Sequence, residues 1–183
     1  MGSYLNPGSE RFRTSLRSEI YVDKSLLIAQ VNRKVRTEQK YICVSRPRRF
    51  GKSMAADMLA AYYGAGEDTA ALFGNLKIAK AASYREHLNQ YDVIKINMQE
   101  FLSTSHDVNE MLDTLKRYIT FDLFERYDCV RFRDENNFVQ VMKDIFAQTR
   151  RPFVILIDEW DCLFREYEHD TDAQKRYLDF LRA

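Results

Sequence analysis

Ser45-Arg46-Pro47-Arg48-Arg49-Phe50-Gly51-Lys52-Ser53 carries the densest chemistry in the chain, and the residues on either side determine how it is read. The apolar run Tyr41-Ile42-Cys43-Val44 stands before it. Met54-Ala55-Ala56-Asp57-Met58-Leu59-Ala60-Ala61-Tyr62-Tyr63 follows, with Met54, Met58, Leu59 and Tyr62 at helical spacing. This order predicts a strand, a tight loop and a helix that starts at Gly-Lys-Ser, the setting a phosphate-binding P-loop requires. The first N–H groups of a helix have no partner inside it and lie at the positive end of its dipole, so they attract phosphate. Lys52 has the reach for β- and γ-phosphates, and the Ser53 hydroxyl is placed to ligate Mg²⁺. One position departs from G-x-x-x-x-G-K-[ST]: Arg46 stands where the first glycine belongs. Pro47 then stiffens the entry through its fixed φ. Arg48, Arg49 and Phe50 complete the candidate nucleotide-binding stretch. The two arginines either add charge beside the phosphates or lie solvated.

The remaining composition excludes several classes. The chain has 183 residues, 45% hydrophobic and 30% charged, with a net charge of +1. That describes one ordinary globular domain with enough chain for a core. With near-neutral charge, no basic field points to nucleic acid as a partner. Cys43, Cys129 and Cys162 form no C-x-x-C pair, so neither a disulfide framework nor a zinc site is expected. Cys43 reads as a small hydrophobe within the first strand. His87, His106 and His169 are far apart in polar surroundings and read as surface residues. No apolar run approaches the ~20 residues of a membrane span, and no secretion signal is recognisable, so the expected compartment is the cytoplasm.

Residues 1–19 read as a loop-like N-terminal extension, and 20–183 as the P-loop domain. Ile20-Tyr21-Val22 reads as extended, with Asp23 or Ser25 capping a helix of about ten residues whose apolar face holds Leu26, Leu27 and Val31. Tyr21 is either core or a base-stacking residue. Further helices are expected over 69–76 and 83–89, and a strand over 91–97. Asn97 closes that strand at the edge where ligands bind in open α/β sheets, as a turn residue or as an orienting group. Asp107 opens a helix with capping-box spacing that runs to about Tyr127. Another follows Asp134, with Phe138, Met142, Ile145 and Phe146 inward.

Arg151-Pro152 ends that helix, and Phe153-Val154-Ile155-Leu156-Ile157 follows at once. Five consecutive apolar residues predict a strand buried on both faces in a parallel sheet. It runs into Asp158-Glu159-Trp160-Asp161. In one reading this is an acidic turn. In the other, Asp158 holds Mg²⁺ and Glu159 activates the water that attacks a γ-phosphate. Gly51-Lys52-Ser53 upstream favours the second.

With both halves in view, the chain resembles the AAA-ATPase-like domain found in many bacterial and some archaeal proteins. The resemblance rests on Tyr21-Val22-Asp23-Lys24-Ser25, on the arginine-rich loop ending in Gly51-Lys52-Ser53, and on Leu156-Ile157-Asp158-Glu159-Trp160-Asp161, with Leu72-Phe73-Gly74-Asn75-Leu76-Lys77-Ile78 in support. Arg46 in place of glycine is itself a mark of that family; Trp160 stands where the family prefers tyrosine. The resemblance implies a P-loop NTPase fold, three-layer α/β/α around a mainly parallel sheet, with ATP and Mg²⁺ as ligands. It implies catalytic roles for Lys52 and Glu159, and metal ligation by Ser53 and Asp158. It also implies that the domain continues past this chain, often into a nuclease-like domain. A strand between the P-loop strand and the Asp158 strand would then be missing, and the sheet incomplete at its C-terminal side. The expected function is ATP binding with Mg²⁺-dependent hydrolysis as part of a larger ATPase, with self-association or a partner chain completing the sheet. The alternative is a non-catalytic interaction module.

Overall fold

The computed structural model describes residues 2–45, 47 and 49–182. Its centre is a parallel pair of strands, β1 (Asp92–Asn97) and β2 (Phe153–Asp158), in register from Asp92 opposite Phe153 to Asn97 opposite Asp158. Side chains alternate across a strand, and here the two faces feed different cores. Ile94, Ile96, Phe153 and Ile157 pack with the helices that follow β1, whereas Val93, Val154 and Leu156 pack with those that precede it. The architecture is therefore α/β, with helices on both faces of a small parallel sheet.

Before β1 come α1 (Glu10–Leu16), α2 (Leu26–Asn32), α3 (Lys52–Tyr63), α4 (Ala70–Phe73) and a 3₁₀ turn at Lys77–Lys80. The helix α3 divides in two along its length. Met58 to Tyr63 are all buried, whereas Ser53 and Met54 are exposed, so the helix is rooted in the core at one end and open at the other. Met54, expected in the core, is 42% exposed. Lys95 of β1 pairs with Asp57 of α3, tying the sheet to the helix near its open end.

Tyr62 and Tyr63 need polar partners for their buried hydroxyls. Tyr62 Oη donates to the Tyr84 carbonyl at 2.6 Å, and Tyr63 Oη donates to Asn32 Oδ1 at 2.6 Å. Removing the second hydroxyl leaves a buried amide oxygen without this donor. Tyr63→Phe is therefore expected to destabilise the fold by about 1–3 kcal/mol, read as the shift of the urea midpoint at constant slope.

Several expectations need correction. Tyr41 to Ser45 form no strand; Tyr41 is 84% exposed, and Cys43 is exposed as well. An extended segment is held by ladder hydrogen bonds to a neighbour, and no described strand pairs with this one. For the same reason β2 is only half-buried: β1 flanks one edge, no described strand flanks the other, and Ile155 is 50% exposed. Residues 83–89 form successive turns rather than a helix. Tyr84, His87 and Leu88 of these turns are buried, with His87 Nδ1 2.6 Å from Tyr91 Oη. Burial holds the His87 pKa below its ordinary value. The helix α2 spans seven residues rather than about ten and turns Ile28 inward, leaving Leu26 exposed. Tyr21 sits edge-on to Phe12, 6.4 Å between ring centroids, as a core residue.

The first 19 residues contribute α1 and an antiparallel bridge from Leu5 to Ile94 on the outer edge of β1. After β1 come α5 (Met98–Thr104), α6 (Val108–Arg126) and α7 (Phe138–Thr149); beyond β2 lie α8 (Cys162–Glu166) and α9 (Thr171–Arg182). Asp107 caps α6 by accepting from Glu110 N–H at 2.9 Å, as its spacing predicts. Asn137 caps α7; Ile145 is buried and Phe138 and Met142 pack half-buried against the core as expected, Val141 joins them, and Phe146 is instead 44% exposed. No helix among the described residues is long and apolar enough to cross a membrane.

Hydrogen-bonded carboxylates, Asp144 and Glu67 among them, make the fold acid-sensitive. Hydrogen bonds from Arg133 hold the buried Asp144 below its ordinary pKa, and hydrogen bonds from Ser9 and Arg13 do the same for Glu67. A depressed folded-state pKa stabilises the fold above the unfolded value, and this is lost as pH falls through the folded one. The melting temperature is expected to fall with acidification below about pH 4, and Asp144→Asn should flatten that dependence.

Candidate phosphate site

The open end of α3 starts at Gly51, whose φ of 75° lies in the left-handed region that glycine adopts without steric cost. The chain turns there, and the Gly51 carbonyl accepts the N–H of Ala55 at 3.0 Å, closing the first helical turn. Side chains that begin at this turn project into a cleft of about 390 Å³. Arg49, Gly51, Lys52, Ser53 and Met54 form its loop-and-helix wall, and Gln99, Glu159 and Arg165 form the opposite one.

The opposite wall comes from the carboxyl ends of the parallel strands. Asn97 and Asp158 are register partners at the last rung of the sheet. Asn97 Oδ1 accepts the Gln99 N–H at 3.1 Å and so caps α5, which is the turn role its position allowed. Asp158 Oδ1 accepts the N–H of Glu159 at 3.1 Å. Glu159 has φ 52°, a left-handed conformation uncommon outside glycine. Strained backbone of this kind gathers at functional sites. This turn, with the chain's re-entry into α8, directs the Glu159 carboxylate to Arg165, whose Nη2 lies 2.9 Å from Oε2. Nη1 of the same guanidinium lies 2.7 Å from Asp161. The Glu159 hydrogen bond, followed by that to Asp161, raises the Arg165 pKa further above its ordinary value.

Of the residues singled out from the sequence, Arg49, Gly51, Lys52, Ser53 and Glu159 meet around this one cleft. More than a hundred positions separate Lys52 from Glu159 in the chain, and the parallel pairing of β1 with β2 helps bring them together. Asp158 sits beside the cleft rather than in its wall. Phe50 is 59% exposed and outside the wall. Arg46 and Arg48 lie outside the described residues. Gln99 and Arg165 went unrecognised in the sequence. Arg165 had a local signal, its spacing of four from Asp161 on a helix; Gln99 had none beyond following the end of a strand.

The donor set suits a hard cation. Ser53 offers a hydroxyl and Asp158 a carboxylate, and Mg²⁺ takes one or two such protein oxygens, filling its other positions with water and phosphate. No group of three or more His, Cys, Asp or Glu side chains that could hold a metal is found among the described residues.

No curated protein and no solved structure matches the chain. A family model does, described as Predicted AAA-ATPase, over residues 8–183. A helix that opens at Gly-Lys-Ser, an acidic strand end across the cleft from it and a match along nearly the whole sequence agree: the chain belongs to the predicted AAA-ATPase family.

Proposed function

We propose that the cleft binds Mg·ATP and that the chain takes part in hydrolysing it. The observation that carries this reading is the convergence of Lys52 and Ser53, at a helix N-terminus, with Glu159 from the far strand on one cleft. Lys52 neutralises the β- and γ-phosphates, and the backbone N–H groups from Gly51 onward cradle them. Ser53 and Asp158 hold Mg²⁺, which neutralises charge on the phosphate oxygens when bound. Glu159 accepts the proton of the attacking water. Arg49 supplies further positive charge at the rim. Calorimetric titration of Mg·ATP into the chain, with Lys52→Ala as control, tests the reading. Binding that depends on Lys52 is expected, and its absence from a folded wild-type sample would sink it.

A second reading is favoured by the edge of β2 that no described strand flanks, where Ile155 is half exposed, and by exposed Tyr41 to Val44. An open edge of this kind is a template for strand addition. The site then works together with another segment or chain that completes the sheet, and the energy of hydrolysis drives a change in that assembly. In its extreme form this is a non-catalytic interaction module, indifferent to substitution of Lys52 and Glu159. The cytoplasm is the compartment that fits an ATP-dependent role.

A further inference from the structure

The phosphate loop has a second lysine beside it that lies outside the cleft wall. Lys24 Nζ donates to the Phe50 carbonyl at 2.7 Å. It also stands 3.2 Å from where a Cβ on Gly51 would lie. The ammonium group therefore rests against the loop at its left-handed turn, while Gly51 itself lines the cleft.

The segment that presents Lys24 is anchored on both sides of it. Asp23 Oδ1 accepts the Ser25 N–H at 2.8 Å, and Oδ2 accepts the Lys77 N–H at 2.8 Å. Buried Ser25 accepts the Ile78 N–H through its hydroxyl at 3.0 Å. Two sequence stretches thus form one bracket, 23–25 fastened to the 3₁₀ turn at Lys77–Lys80, with Lys24 as the arm reaching the loop. Burial opposes ionisation of Asp23, yet the Ser25 and Lys77 hydrogen bonds outweigh it and hold its pKa below the ordinary value.

The consequence follows from peptide geometry. The Phe50 carbonyl and the Gly51 N–H belong to one planar trans unit and point in opposite directions. A donor that fixes the carbonyl fixes the N–H as well. We propose that Lys24 is a positioning residue: by holding the Phe50 carbonyl from outside the loop, it aims the Gly51 N–H at the phosphates of the bound nucleotide. The bracket compensates for a turn that glycine leaves conformationally loose. This role rests on the nucleotide-binding reading above.

The test combines affinity with a local probe. Lys24→Met is expected to weaken Mg·ATP binding by roughly tenfold, the scale of one charge-assisted hydrogen bond. Lys24→Arg, which can still donate to the carbonyl, should recover most of the loss. Lys24 is exposed, so the melting temperature without nucleotide should stay within a degree or so of wild type. The chain has six glycines, so selective ¹⁵N-glycine labelling gives few amide resonances. The Gly51 resonance should shift downfield with Mg·ATP in wild type and in Lys24→Arg, and much less in Lys24→Met. Wild-type affinity in Lys24→Met, or an unaltered Gly51 shift, would overturn the positioning role while leaving the Lys52-dependent site standing. Loss of Lys52-dependent binding in the wild-type titration would overturn both.

Discussion

Lys52→Ala is expected to weaken Mg·ATP binding by roughly 10- to 100-fold, enough to bring calorimetric heats near background at micromolar protein. Lys52 starts the helix whose N-terminus opens on the cleft, and it shares that cleft with Ser53. An ammonium group at this point adds a full charge to the partial charge of the helix end, and phosphate responds to both. The fold should be spared. The side chain lies at the half-exposed end of α3, six positions before the continuous buried stretch begins at Met58, so the unfolding free energy should change by less than about 0.5 kcal/mol. Weakened binding together with a large loss of stability would instead mark Lys52 as a structural residue.

Glu159→Gln should separate binding from chemistry. The amide keeps the shape and cannot take a proton, so turnover is expected to fall by roughly 10²- to 10⁴-fold with Mg·ATP affinity close to wild type. Glu159 is paired with Arg165 at 2.9 Å, and Arg165 is also held by Asp161 at 2.7 Å. Single-turnover hydrolysis with radiolabelled ATP compares wild type with Glu159→Gln at nucleotide saturation. Equal rates for wild type and Glu159→Gln, where wild type hydrolyses ATP, would remove Glu159 from the proton-transfer role. Indifference of both binding and rate to Lys52→Ala and Glu159→Gln would favour the interaction-module reading.

Several of these features could be read from the residues because they depend on local rules. Gly51-Lys52-Ser53 begins a helix since glycine accepts the left-handed turn and the following residues repeat at helical spacing. Asp107 and Glu110 cap α6 through contacts three residues apart. Phe153 to Ile157 form a strand that ends at Asp158, and their apolar run already implied a parallel sheet.

Other features depended on what stands next to each element in space. Tyr41 to Val44 have the composition of a strand and are not one, because strand structure requires a hydrogen-bonding neighbour and no described strand supplies it. His87 has polar neighbours in sequence and is buried, because the turns around it bring its ring against Tyr91. Arg165 reaches Glu159 only because the left-handed turn at Glu159 and the start of α8 fold the chain back on itself. Lys24 reaches the phosphate loop from 26 positions upstream through a bracket whose other half lies beyond α3. By itself the sequence pointed to side chains whose chemistry suits phosphate binding and proton transfer, since that is a property of side chains and local spacing. Only the tertiary structure decided which of them share a cleft and which groups hold them in place, because those contacts join segments that no local rule connects.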